Sequence, residues 1–272
     1  MHSYKDKVVV ITGAGSGIGR ALAQQLSREG AHLALSDINM NGLEQTRASL
    51  SGNGRVTLDT LNVADRDAFR AWAAKVIADH GHADMIINNA GVALSETVAN
   101  MSYDDMEWIV NINFWGVVYG TKEFLPHLLS RPQAEVVNIS SIFGIIALPT
   151  QSAYNATKFA VRGFTESLRQ ELKDTNVFVA TVHPGGIKTN IVANGRMKTS
   201  LGGPKDHERQ IRDFEKMART TPEQAAQIIL DGVRRRRRRI LIGPDARLMD
   251  RIQRLLPERY TDVFGWILRR LG

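Results

Sequence analysis

The 272-residue chain is 43% hydrophobic, 23% charged and 7% aromatic, the composition of an ordinary folded protein rather than a disordered or fibrous one. It has no cysteine, which excludes disulfides, thiolate zinc sites, iron–sulfur clusters and a cysteine nucleophile. The formal charge of +7 is confined to residues 231–272, where 12 Arg and no Lys meet 5 acidic residues; the other 23 basic and 23 acidic residues cancel, so the body lacks the basic face of a nucleic-acid enzyme.

Short β-branched runs alternate with longer stretches of helical periodicity, the pattern of βαβ units around a parallel sheet. Strands are expected at residues 7–11, 32–36, 55–61, 84–88, 134–140, 177–183 and 240–242, and helices at 17–29, 40–50, 65–79, 103–129, 152–174 and 222–235. Runs such as Val8-Val9-Val10-Ile11 and Met85-Ile86-Ile87 are apolar at successive positions, as strands covered on both faces must be. No repeat or low-complexity linker divides the chain. It reads as one α/β domain, a doubly wound parallel sheet over residues 1–244, followed by a basic, amphipathic helical C-terminal extension over 245–272. Two regions break the alternation. Residues 190–217, with Gly195, Gly202, Gly203 and Pro204, are too long for a simple connection and read as an insertion or lid. The extension reads as two short helices parted near Pro257. No apolar stretch reaches the roughly 18 residues that a membrane span requires, and the chain opens directly on its first strand, so a cytoplasmic location is expected.

The first strand leads through Thr12-Gly13-Ala14-Gly15-Ser16-Gly17-Ile18-Gly19 into a helix. Glycines here let the chain turn tightly and let backbone amides and the helix N-terminus face a pyrophosphate. Taken alone, the same run is equally a flexible loop. Asp37, 18 residues past Gly19 at the end of the second strand, narrows the choice. A carboxylate there accepts hydrogen bonds from the adenosine ribose hydroxyls and repels a 2′-phosphate. Neither Ser16 nor Ile38 offers an offsetting cation, so NAD is favoured over NADP.

The Gly13-x-x-x-Gly17-x-Gly19 spacing behind Thr12 resembles that of the short-chain dehydrogenase/reductase family. Further matches follow in order: Asn88-Asn89-Ala90-Gly91, Asn113-x-x-Gly116, Ser141 thirteen residues before Tyr154, Tyr154-x-x-x-Lys158, and Pro184-Gly185-Gly186-Ile187-Lys188-Thr189. The resemblance implies a Rossmann-like fold and a catalytic set of Asn113, Ser141, Tyr154 and Lys158. It also implies a nicotinamide cofactor held by Gly13, Gly15, Ser16, Gly17, Ile18, Gly19, Asp37, Asn62, Val63, Asn89, Ala90, Gly91, Pro184, Gly185, Ile187 and Thr189, with Tyr154 and Lys158. Asn62-Val63 departs from the Asp-Val usual in the family and leaves Asn62 to face the adenine.

Hydride transfer between a nicotinamide and a carbonyl or alcohol carbon needs a proton moved to or from the oxygen. A phenol at Tyr154 can move it once something offsets its ordinary pKa of about 10. Lys158 shares its helical face, and the ammonium is expected to lower the phenol's pKa. A bare Tyr-x-x-x-Lys pair is otherwise most often a surface pair. Ser141 is expected to donate to the substrate oxygen; Ser140 competes for that role, and the spacing to Tyr154 together with strand alternation favours Ser141. For Asn113 the nearby competitor is Asn111. The resemblance gives the Asn113 backbone a water linking Lys158 to solvent, and places Ile187 and Thr189 at the nicotinamide carboxamide. Asn88 and Asn89 are expected to bond backbone around the cofactor. The seven His residues show no metal-type spacing, so no metal is expected.

Apolar stretches around the expected centre, Val92-Ala93-Leu94, Ile142-Phe143, Ile145-Ile146-Ala147-Leu148, Ile191-Val192 and Met197, favour a small hydrophobic secondary alcohol or ketone as substrate. An NAD-dependent alcohol dehydrogenase or ketone reductase is the leading reading. A reductase or epimerase-like relative acting on another bond and a non-catalytic NAD-binding sensor are the alternatives, the sensor disfavoured by the complete catalytic set. The fourth and fifth helical stretches carry Trp108, Phe114, Trp115, Phe159, Phe164 and Leu168, more apolar bulk than a core stripe requires, so a homotetramer or, failing that, a homodimer is expected. The arginines at 234–239, and Arg247, Arg251 and Arg254 beside Leu248, Ile252 and Leu255, read first as a solvated or subunit-facing surface, then as a membrane-surface helix, and last as a nucleic-acid site.

Overall fold

The computed structural model describes residues 3–199, 208, 211, 212, 214, 216 and 218–263. In chain order the elements are β1 (Val8–Thr12), α1 (Gly17–Arg28), β2 (His32–Asp37), α2 (Met40–Ala48), β3 (Val56–Thr60), α3 (Arg66–His80), β4 (Met85–Asn88), β5 (Leu94–Ser95) and α4 (Tyr103–Val110). After a π-helical turn over Asn111–Trp115 come α5 (Gly116–Leu129), β6 (Ala134–Ile139), α6 (Ser152–Glu171), β7 (Val177–Pro184), β8 (Arg196–Met197), α7 (Pro222–Arg234), β9 (Arg239–Ile242) and α8 (Pro244–Leu255). Most of the lid reading beyond residue 199, and the second tail helix beyond 263, fall outside the described residues.

Seven strands form one parallel sheet in the order β3-β2-β1-β4-β6-β7-β9, the Rossmann-like, doubly wound arrangement expected. Side-chain alternation divides the core between its two faces. Val9 and Ile11 enter a layer shared with Leu22 and Leu26 of α1 and Ile229 and Leu230 of α7. Val10 points the other way, among Phe69 and Trp72 of α3 and Phe124 and Leu128 of α5. Both layers are apolar where β1 faces them, so residues 8–11 carry no polar alternation. Helix starts follow their caps: the Asp65 side chain accepts from the amides of Asp67 and Ala68, and Thr221 with Gln224 forms a reciprocal capping box ahead of Pro222.

The reversal of strand order between β1 and β4 opens a crevice at the carboxyl ends of the strands, and the loops after β1, β4, β6 and β7 gather there. One helical stretch differs from expectation. Residues 103–129 are two α-helices joined by the π turn, not one, because Asn113 turns its carboxamide inward to bond the Val92 backbone and the helix widens to admit it. A second, two-stranded parallel sheet of β5 and β8, too short to leave a period in the sequence, ties the beginning of the insertion to the loop after β4. Among the described residues no helix is long and apolar enough to cross a membrane.

Candidate active site

The glycine loop is closed by its own packing. Gly13 and Gly17 sit at φ +67° and +51°, which only glycine adopts without strain, and a Cβ on Gly13 would lie 2.8 Å from the Ala90 Cα. Thr12 Oγ1 accepts from the amides of Asn89 and Ala90, both at 3.1 Å, while Asn89 Nδ2 donates to the carbonyls of Thr12 at 2.9 Å and Gly13 at 3.0 Å. Those bonds join the loops after β1 and β4 across the crevice. Asn88 departs from expectation: its amide bonds side chains, Asn138 at 2.8 Å and Thr121 at 3.2 Å, inside the core. At the N-terminus of α1 the Ser16 side chain makes no capping bond, which leaves the first amides of the helix to a ligand. Asp37, at the end of β2, accepts from the Gly15 amide at 2.9 Å and from the Asn39 amide at 3.0 Å. Asn62 is exposed and spends its Oδ1 on the Ala64 amide at 3.1 Å, while Val63 is buried beneath Gly116.

Tyr154 and Lys158 lie on the inner face of the first turns of α6, 8% and 3% exposed. The Ser141 side chain lies near enough to the Tyr154 hydroxyl to favour its ionised form. Ser140 points elsewhere, donating to the Lys158 carbonyl at 2.8 Å, so of the two serines it is Ser141 that meets the phenol. Lys158 Nζ donates to the Ile139 carbonyl at 3.1 Å and stands 5.7 Å from the centroid of the Tyr154 ring. Gly91 faces it: a Cβ there would come within 3.3 Å of Nζ and 3.1 Å of Asn113 Oδ1. Asn113 is fully buried; its Oδ1 accepts from the Val92 amide at 2.8 Å, and its Nδ2 donates to the Val92 carbonyl at 2.9 Å and to Thr157 Oγ1 at 3.3 Å. The side chain thus clips the loop after β4 to α6.

Burial pushes the Tyr154 phenol up to about 12, against the opposing effect of Ser141. Burial also pushes Lys158 down to about 8. The expectation that the ammonium lowers the phenol's pKa is corrected: Nζ is turned to the Ile139 carbonyl, and burial of the phenol sets the direction of its shift. A neutral phenol at neutral pH is a proton donor in waiting.

Four residues support the site through contacts that the sequence did not show. His183, at the end of β7, is fully buried, and its Nδ1 meets the Ser141 carbonyl at 2.9 Å; burial pushes its pKa down to about 4, so the ring is neutral. Asn155 donates to the carbonyls of Phe143 at 2.8 Å and Ile146 at 2.7 Å, fastening the loop after Ser141 to the helix of Tyr154. Its place inside Tyr154-x-x-x-Lys158 was the available signal. Asp245, in the first turn of α8, accepts from the Gly186 amide at 2.7 Å, and Gly185 donates to the Ile242 carbonyl of β9 at 3.0 Å, so the loop after Pro184 is held by β9 and by the start of the C-terminal extension. Past that loop Ile187 is buried, and Thr189 comes against Gly17, where a Cβ would meet its methyl at 3.1 Å. Asp105, buried at the start of α4, binds Arg196 at 2.9 Å and Lys198 at 2.5 Å, and Lys198 above all holds its carboxyl well below the usual range.

The apolar stretches divide. Val92, Ala93, Leu94, Phe143, Ile191 and Met197 gather round Tyr154, and Phe143 meets its ring edge-on at 6.0 Å. Trp108 joins this wall, covered by the Arg196 guanidinium 4.0 Å from its ring. Ile142, Ile145 and Ile146 turn away to pack under Ala246, Met249 and Ile252 of α8, which corrects their expected place beside the substrate.

A family model described as short chain dehydrogenase matches residues 7–199. SadH of Mycobacterium tuberculosis, described as an oxidoreductase, is 45% identical over 264 residues, covering 96% of this chain and 94% of its own. The 3-oxoacyl-acyl-carrier-protein reductase FabG of Thermotoga maritima is 35% identical over 186 residues, 68% of this chain and 76% of that one. Among solved structures, a short chain dehydrogenase/reductase from Burkholderia phymatum in complex with NAD superposes with a TM-score of 0.85 at 27% identity, covering 93% of this chain and 95% of that one.

Proposed function

We propose that this chain, which belongs to the short-chain dehydrogenase/reductase family, is an NAD-dependent oxidoreductase that interconverts a small hydrophobic secondary alcohol and its ketone. The observation that carries the reading is Tyr154 buried beside Lys158 against an apolar wall, with Ser141 near enough to act on its hydroxyl. Relatives named as an oxidoreductase, a 3-oxoacyl reductase and a short chain dehydrogenase/reductase support chemistry at alcohol and carbonyl groups. A nicotinamide dinucleotide fits the residues present, since the glycine loop has no room for side chains and α1 begins without a capping side chain. When bound, it supplies the hydride acceptor or donor.

The pyrophosphate would lie on the amides of Gly13, Gly15, Ser16, Gly17, Ile18 and Gly19. Asp37 would take the adenosine ribose, Asn62 and Val63 would border the adenine, and Asn89, Ala90, Gly91 and Lys158 would border the nicotinamide ribose. Pro184, Gly185, Ile187 and Thr189 would face the carboxamide. In the reducing direction the Tyr154 hydroxyl donates its proton to the carbonyl oxygen, and Ser141 donates a hydrogen bond to the same oxygen as charge develops on it. Lys158 below its pKa of about 8 is an ammonium and favours the phenolate left behind. Oxidation runs the same steps in reverse. Asn113, His183 and Asn155 hold the backbone on which these groups stand. A panel of secondary alcohols and ketones followed at the absorbance of NADH tests the reading; no turnover with either class would overturn it.

Asp37→Ser is expected to shrink the preference for NAD over NADP by at least about tenfold, since it removes both the ribose acceptor and the like-charge penalty. The carboxylate also holds the Gly15 amide, so Asp37→Asn, which keeps an acceptor there, is expected to retain more NAD affinity than the serine variant. Comparison of kcat/KM for the two nucleotides decides it, and a wild type that favours NADP would reverse the assignment.

For assembly we propose a homotetramer or homodimer. The apolar surplus is narrower than the sequence suggests, because Leu168 is in the core and Trp108 lies under Arg196. Trp115 and Phe159 remain, 41% and 39% exposed, beside the edge-to-face pair Phe114 and Phe164. Light scattering at micromolar concentration is expected to give two or four chains; a fully active monomer would refute this.

A further inference from the structure

The arginines at 234–239 do not form one free basic face. Arg234 pairs with Glu29 and Asp231 and covers the Tyr4 ring, and Arg239 bridges Glu166 and Asp250, both at 3.0 Å. The four between them make the exposed turn from α7 to β9, with Arg236 at φ +50°. Beside that turn Arg237, Arg239, Arg247 and Arg251 surround a surface hollow in which Asp250 is the one acid, over a floor of Ile228 and Ile240. Asp250 is already shared between Arg239 and Arg254. Among the described residues no carboxylate pairs with Arg237, Arg247 or Arg251.

The outward face of α8 continues the hollow. Arg247, Arg251 and Arg254 recur at helical spacing, and Leu248 and Leu255 stand next to them, 57% and 80% exposed. The inner face is fully used: Ala246, Met249 and Ile252 pack on Ile142, Ile145 and Ile146, and the Ala147 amide donates to the Tyr260 hydroxyl at 3.2 Å. The helix is therefore preformed, and among the described residues its outer leucines stay exposed.

We propose that this outer face docks on an anionic phospholipid surface, with Leu248 and Leu255 entering the acyl boundary and the arginine-lined hollow receiving a phosphate headgroup. Charge complementarity chooses the occupant. The whole excess of +7 lies in residues 231–272 over a neutral body, so a second copy of the chain would set that excess against itself across a two-fold axis. An anionic surface neutralises it. The two exposed leucines separate a bilayer from a nucleic acid, because aliphatic groups among arginines gain nothing over a phosphate backbone, whereas an interfacial helix buries them. The sequence keeps the same mixture to its end, Phe264-Gly265-Trp266-Ile267-Leu268-Arg269-Arg270-Leu271.

Co-sedimentation of the full chain with phosphatidylcholine vesicles, alone or with about one third phosphatidylglycerol, tests the proposal. Binding to the anionic vesicles is expected to be at least about tenfold stronger and to weaken in high salt. Arg247→Glu with Arg251→Glu is expected to reduce it to the neutral-vesicle level, and Leu248→Ser with Leu255→Ser to weaken it about tenfold at unchanged charge. Both variants are expected to keep the wild-type melting temperature and solution turnover, since neither pair touches the site. Absence of sedimentation, equal binding to both vesicles, or indifference to the arginine pair would overturn the proposal. So would indifference to the leucine pair together with equal retention on duplex DNA, which would mark a surface for polyanions in general.

Discussion

Tyr154→Phe is expected to lower turnover by about 10²–10⁴-fold while leaving NADH affinity nearly unchanged, because the variant loses the proton-carrying hydroxyl and keeps the ring. The edge-on contact with Phe143 survives, so the pocket keeps its shape. Lys158→Ala is expected to damage both turnover and binding, since the ammonium faces the crevice beside Gly91 as well as the phenol. The pH profile separates the directions. With the phenol pushed up to about 12, Tyr154 is protonated across the neutral range, so ketone reduction is expected to stay level there. Alcohol oxidation draws on the phenolate and is expected to climb with pH, approaching tenfold per unit. Stopped-flow rates in both directions and fluorescence titration of NADH check these outcomes. Residual turnover within about tenfold of wild type in Tyr154→Phe, or reduction that falls through neutrality, would move the proton donor to another group.

Gly19→Ala is expected to abolish useful nucleotide binding and to lower the melting temperature by about 3–9 °C, the effect of about 1–3 kcal/mol of overpacking. The added Cβ would stand 2.2 Å from the Gly13 carbonyl oxygen and 2.7 Å from Asn89 Nδ2. Neither can move aside cheaply. The carbonyl belongs to a backbone already fixed at positive φ, and the Asn89 amide is committed to Thr12 and Gly13. Making room therefore means undoing the bonds that join the loops after β1 and β4, and with them the platform for the pyrophosphate. Calorimetric titration with NADH and a thermal melt measure both effects. Wild-type values in each would show that the loop opens far more readily than its packing implies.

Most strands and helices were legible because the central strands are largely apolar, as Val8-Val9-Val10-Ile11 and Met85-Ile86-Ile87 are, and the helices between them keep an apolar stripe. The residues proposed to move protons could be named from the sequence through the family resemblance and their spacing along one helix and one strand end. What could not be read depends on contacts between distant segments. The π turn exists because Asn113 bonds Val92, and periodicity in residues 103–129 carries no trace of that bond. The inward or outward sense of Ile142, Ile145 and Ile146 was set by α8, about a hundred positions later, and the sign of the Tyr154 shift by burial that only the folded site reveals. Asp245 shows the same limit: a helix-start acid in sequence becomes a fastening for Gly186 only once β9 brings α8 to the crevice.

The central place of β1 also governs the order in which a nascent chain can fold. β2 reaches β1 early, pairing Val8 with His32, but the other edge of β1 waits for β4, and the Val8 amide bonds to Asp84, 76 residues on. Until that segment leaves the ribosome, Val8–Thr12 presents an apolar, hydrogen-bond-hungry edge to its surroundings, the kind of surface that aggregates or recruits chaperones. The crevice between β1 and β4 is thus also the seam at which the two halves of the sheet are joined during synthesis, and a nucleotide lying across it would stabilise the joined state in proportion to the logarithm of its concentration.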